Sequence, residues 1–212
     1  MRTDDLIAAL AADNAEQPTP LARAFTVDGL VGWAVTALPF FWLLGPRHNF
    51  VASLGDPRFL FKFLFTAVMA LSGLALVWRL ARPNGVSGWA GKAVLLGPAL
   101  ALAACIVEMI LVPENQWGAR LVGENPWHCL IMVPMMAIAP GVGLFLALKH
   151  AAPGDPRRAG AAAAFAAAGL AAFLYAMNCP DDSPFYVGVW YLLATSFVVA
   201  LGWFAGGRLL RW

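Results

Sequence analysis

Apolar residues along this chain fall into six long runs separated by short polar breaks. The runs cover about residues 27–45, 59–79, 90–112, 127–148, 159–177 and 185–206. Each is about 20 residues long, the length an α-helix needs to cross a hydrocarbon core of about 30 Å. In lipid every backbone polar group must be satisfied within its own segment. Runs of this length without period-two alternation therefore predict helices rather than barrel strands. The pattern predicts an all-α polytopic membrane protein, a bundle of six transmembrane helices. Pro39 is expected to bend the first run, and Pro134 and Pro140 to interrupt the fourth.

Residues 1–22 stand ahead of the first run as a polar segment. Thr3 reads as an N-cap, with Asp4 and Asp5 in the first helical turn. Leu6, Ile7 and Leu10 form a narrow apolar stripe, and Pro18 and Pro20 end it. Two readings of so short a helix stand: a frayed tail, or a docking helix that orders when a partner arrives. No basic region leads into an apolar core here, so no signal peptide is expected.

Composition agrees with the pattern. The chain of 212 residues is 61% hydrophobic and 12% charged, with a mean hydropathy of +0.71. A soluble domain carries roughly 25% charge. A net charge of +2 without a dense basic patch gives no footprint for nucleic acid. The distribution of charge is more telling. Arg2, Arg23, Arg79, Arg82, Lys92, Lys149, Arg157, Arg158, Arg208 and Arg211 fall on the termini and the even-numbered loops, against Arg47, Arg58, Lys62 and Arg120 on the other side. That bias predicts both termini in the cytoplasm.

On this topology Cys129, in Trp127–Leu130, and Cys179, in Asn178–Tyr186, share the outer face. Cys105 is expected to be buried near mid-membrane. Antiparallel neighbours joined by one short turn would bring Cys129 and Cys179 near each other, so a disulfide is sterically open if their Cα atoms lie within about 7 Å. Two unrelated small apolar side chains remain the other reading. His128, Asp181 and Asp182 add a mixed ligand set that a thiophilic ion such as Zn(II) would accept transiently with the two thiols. Glu108 is the acid inside a span, either a polar anchor near the interface or part of a signal or ion path. Met132, Met135 and Met136 read as packing. Gly202 and Gly206 form a GxxxG that permits close helix approach, as does Gly160. No nucleotide-binding, zinc-protease or nucleophile-elbow motif occurs, and neither outer thiol belongs to a CxxC. No enzyme and no cofactor are expected.

Several motifs together resemble a family. They are the opening Thr3–Asp13, Gly45–Arg47, Pro57–Lys62, the Arg82-Pro83 turn, Cys129-Leu130-x2-Val133-Pro134, and the block Leu174–Pro184 followed by Trp190-Tyr191. Over essentially its whole length the chain is similar to the NrsF-type negative regulators of an extracytoplasmic-function sigma factor. The resemblance implies a six-span inner-membrane anti-sigma factor, with the N-terminal segment helping to hold the sigma factor. It implies that Cys129 and Cys179 sense heavy-metal or oxidative stress. The partners expected are a sigma factor on the cytoplasmic side and the lipid bilayer, without direct nucleic-acid contact. A small transporter or channel using Glu108, or a membrane thiol-disulfide oxidoreductase, are the alternatives. The oligomeric state, the native signal and the resting state of the two thiols are open at this level.

Overall fold

A computed structural model of the chain describes Thr3 and residues 20–210. Thr3 is helical and exposed; Asp4, Asp5, Leu6, Ile7 and Leu10 lie outside the described residues. Six helices are long and apolar enough to cross a membrane: α1 Leu21–Leu44, α2 Pro57–Leu80, α3 Gly88–Leu111, α4 Pro126–Lys149, α5 Pro156–Asn178 and α6 Pro184–Leu209. The described chain is all-α, a six-helix membrane-spanning bundle.

Helix starts follow from proline chemistry. α2, α4, α5 and α6 each open on a proline, whose missing N–H falls among donors that have no partner inside the helix anyway. Asp56 caps α2 by accepting from Arg58 N–H at 2.8 Å. Asp155 caps α5 by accepting from the amides of Arg157 and Arg158. α1 begins at Leu21, earlier than its apolar run, because Pro20 sets the entry.

The interior prolines behave differently from expectation. α4 runs without a break from Pro126 to Lys149 through Pro134 and Pro140. Pro140 cannot donate to the carbonyl of Met136, four residues back. The Thr36 hydroxyl of α1 donates to that carbonyl instead, at 3.0 Å. Membrane helices tolerate proline when a neighbour satisfies the freed acceptor in this way. Pro39 leads into a π-helical turn, Phe40–Leu44, that ends at Gly45 with φ 64°. Pro98 falls in the first turn after a break at Val94–Leu95, where its missing donor costs little.

Small residues decide which helices touch. α5 is central, its alanines buried on all sides, so it is thin enough for neighbours to close on it. Gly160 of α5 lies against Gly202 and Gly206 of α6, as the GxxxG predicts. A Cβ on Gly73 of α2 would come within 2.7 Å of the Ala166 Cα in α5. A Cβ on Gly32 of α1 would meet the Ala139 carbonyl of α4 at 2.6 Å, and Gly143 of α4 lies against the Asp28 carbonyl of α1. Close glycine contacts thus tie α2, α5 and α6 together and α1 to α4, while α4 also packs along α5. Between α4 on one side and α5 and α6 on the other runs an open apolar groove of ≈ 430 Å³, lined by Pro134, Ala137, Gly141, Ala164, Ala167 and Gly202.

Candidate functional site

At the end of the bundle where α1, α3 and α5 finish, the chain turns through Cys179–Ser183 without regular structure. Many separate contacts hold this loop. Arg47, just past α1, donates to the carbonyls of Cys179 (3.2 Å) and Pro180 (3.0 Å) and to Asp182 Oδ2 (2.6 Å). Its guanidinium stands 4.5 Å from the Phe59 ring centroid. Lys62, on the second turn of α2, donates to Cys179 O (2.9 Å), Asp181 O (3.2 Å) and Asp182 Oδ1 (2.6 Å). From the other side, the Asp181 carboxylate accepts from the Glu124 amide, and the Tyr186 hydroxyl donates to the Asn125 carbonyl. Gly123 sits at φ 65° with Asp181 and Tyr186 where a side chain would be. Only glycine adopts this backbone and leaves that room.

Cys129 and Cys179 come together inside this cage. Both are free thiols, 0% and 1% exposed. They share one buried cluster. Three buried tyrosines surround them. Tyr186 lies beside Cys129, and Tyr175 and Tyr191 lie beside Cys179. The Tyr191 hydroxyl makes no well-formed hydrogen bond although it is wholly enclosed. It belongs to a second π-helical turn, Val187–Tyr191, and such turns occur frequently at functional sites.

Burial pushes the Cys179 thiol up from its ordinary range, against the pull of the Lys62 ammonium and the contact to the Asp181 backbone. The resting group is therefore the neutral thiol. Its chemistry waits on something that takes the proton, since the thiolate is the nucleophile and metal ligand. Burial likewise raises Asp181, opposed by the Glu124 amide.

The other sequence candidates are placed as follows. Asp182 joins the site as the shared partner of Arg47 and Lys62. His128 is exposed, its ring 6.0 Å from that of Tyr175. Among the described residues no three of His, Cys, Asp and Glu are grouped to hold a metal ion. Glu108 is buried and bridged by Arg58 Nε (2.9 Å) and Arg120 Nη1 (2.8 Å). Cys105 is half-buried rather than sunk at mid-membrane, and its thiol donates to the Pro184 carbonyl at 3.4 Å. Sequence reasoning gave no role to Lys62, Arg47 or the three tyrosines. A lysine three positions past the start of an apolar run was the signal available for Lys62.

The family described as NrsF, negative regulator of sigma F, matches residues 10–212. The anti-sigma-F factor NrsF of Caulobacter vibrioides is 36% identical over 222 residues, with all of both chains covered. The probable anti-sigma-F factor NrsF of Azospira oryzae is 32% identical over 215 residues, again over all of both. No solved structure matches the chain.

Proposed function

The chain belongs to the NrsF family, multi-pass bacterial inner-membrane proteins with a regulatory and not an enzymatic role, and from that premise we propose a thiol-gated anti-sigma factor. In this reading it holds an extracytoplasmic-function sigma factor at the cytoplasmic face and lets it go when Cys129 and Cys179 change state on the periplasmic side. The single observation that carries the reading is a pair of free, buried thiols brought into one cluster from α4 and from the loop that follows α5.

The orientation rests on charge. Arg47, Arg58, Lys62 and Arg120 all lie at the thiol end, and each is ion-paired to Asp182 or Glu108. Arg23, Arg79, Arg82, Lys92, Lys149, Arg157, Arg158 and Arg208 stand at the opposite end, which is the cytoplasmic one by the positive-inside bias. The N-terminal segment leads directly into α1, and α1 is sutured to α4, which carries Cys129. A metal ion, or a disulfide formed with loss of two electrons and two protons to an oxidant, would draw α4 toward the end of α5. That shifts α1 with it and changes how Thr3, Asp4, Asp5, Leu6, Ile7 and Leu10 meet the sigma factor. Such coupling needs two arrangements with different affinity for the partner. Leu6, Ile7 and Leu10 suit an apolar groove on that partner, with the two aspartates at its rim. His128, Asp181 and Asp182 support the thiols without forming a preset metal shell.

The test uses the full chain in native membranes. Replacing Cys129 and Cys179 together by serine should abolish release of the sigma factor under cadmium or an oxidant while membrane insertion and basal retention persist. A normal response in that double variant sinks the thiol-gated reading. Replacing Leu6 and Ile7 by aspartate should free the sigma factor without any stress.

A further inference from the structure

Lys62 is a costly residue where it stands. Its side chain is 0% exposed, it lies among apolar neighbours on a membrane helix, and leaving any of its donors unpaired would be expensive. All three donors of an ammonium group are used, and all three go to one short stretch: Cys179 O, Asp181 O and Asp182 Oδ1. The stretch in question has no regular hydrogen bonding of its own. Arg47 meets the same Cys179 carbonyl and the second oxygen of Asp182, so the carbonyl next to the thiol is clamped by two cations. A buried ion pair adds little net stability compared with well-packed apolar residues, but it does fix geometry. Its worth here is in where it puts the loop.

We propose that Lys62 is the positioning residue of the thiol site: it pins the Cys179–Asp182 loop to α2 and so keeps the Cys179 thiol enclosed against Cys129. The lysine touches no sulfur by hydrogen bond; it acts through the backbone carbonyl of Cys179. The pin is also well braced. α2 is sutured to α5 by Gly73 against Ala166 and by Gly169 against Ala70. The loop therefore hangs from the end of α5 and is fastened to a helix that cannot slide along α5. With the pin in place, Cys179 is held at a fixed position relative to α2 and α5. This deepens the sensing role proposed above and rests on it only for its consequence in signalling; the enclosure itself is measurable without it.

The measurement is the rate at which N-ethylmaleimide labels each cysteine of the full-length chain in mild detergent, read by mass spectrometry. In the parent chain Cys179 should label slowly. Lys62→Met, which keeps length but removes the donors, should label Cys179 at least tenfold faster, with half-buried Cys105 unchanged. Lys62→Arg should return the rate to within about threefold of the parent. Local release at Cys179 with Cys105 unmoved separates positioning from general loosening. Asp182→Asn keeps both carbonyl contacts and offers a second variant that inserts even if Lys62→Met does not; it should raise the rate at least threefold. Unchanged Cys179 labelling in the inserted variant or variants overturns the proposal. Failure of the Cys129/Cys179 double serine variant to block the stress response would instead overturn the sensing role and leave the enclosure result standing.

Discussion

Asp182 serves two cations at once, one on each carboxylate oxygen, while Asp181 beside it turns its carboxylate the other way to a backbone amide. The two adjacent acids therefore answer to different physics. Burial raises the Asp181 carboxyl above the ordinary carboxylate range. With the folded value above the unfolded one of about 4, the folded chain binds more protons between the two. Stability then falls as pH rises through that window. Asp181→Asn should flatten the pH dependence of thermal unfolding in detergent above about pH 4, with the midpoint at neutral pH unchanged or raised. The sequence showed the two cysteines and both acids, because scarce polar residues stand out in apolar runs. It did not show Lys62, Arg47 or the tyrosine shell. The loop partners of the two cations lie more than a hundred positions away, from 117 for Lys62 to 135 for Arg47, and no local pattern reports a contact of that range. His128 follows a local geometry: adjacency to Cys129 on a helix points the two side chains about 100° apart, and the histidine is exposed while the thiol is buried.

At the scale of the helices, hydropathy located five of the six helices to within three residues, because crossing a hydrocarbon core sets both length and composition, and placed the start of α1 six residues late. Proline was the weak guide. A single chain pattern says that a donor is missing and cannot say whether another helix will make good the loss. Small residues were a better guide, and Gly160, Gly202 and Gly206 meet as the GxxxG suggests. Gly206→Leu would force α6 from α5 and should cost about 1–3 kcal/mol or more, seen as a lower unfolding midpoint in detergent. The same substitution at Gly55, where a side chain would meet nothing within 4 Å, should leave that midpoint unchanged.

For the molecule as a whole, the partition of charge is sharper than a count of residues suggests. Four cations at the thiol end meet two carboxylates, Asp182 and Glu108, that each bind a pair of them. Glu108→Gln weakens both of its ion pairs and uncovers Arg58 and Arg120 on the face proposed to cross the membrane. It should lower stability by roughly 3 kcal/mol, in the range for breaking a buried pair, and increase the fraction of chains inserted in the wrong orientation, measured by protease accessibility of the loops. A stable, correctly oriented Glu108→Gln chain would show that the bias of the opposite end alone is sufficient.

The hydroxyl of Thr36 and the ring of Pro140 also bind the history of two positions together. Thr36→Val in the present chain strands the Met136 carbonyl and should cost about 1–3 kcal/mol. After Pro140→Ala the helix supplies its own N–H, and the same change at Thr36 should be close to neutral. A double-mutant cycle would measure that difference directly. Substitutions at these two sites therefore have a permitted order: the proline must leave before the threonine can, and a lineage that keeps Pro140 is held to a hydroxyl on the facing helix.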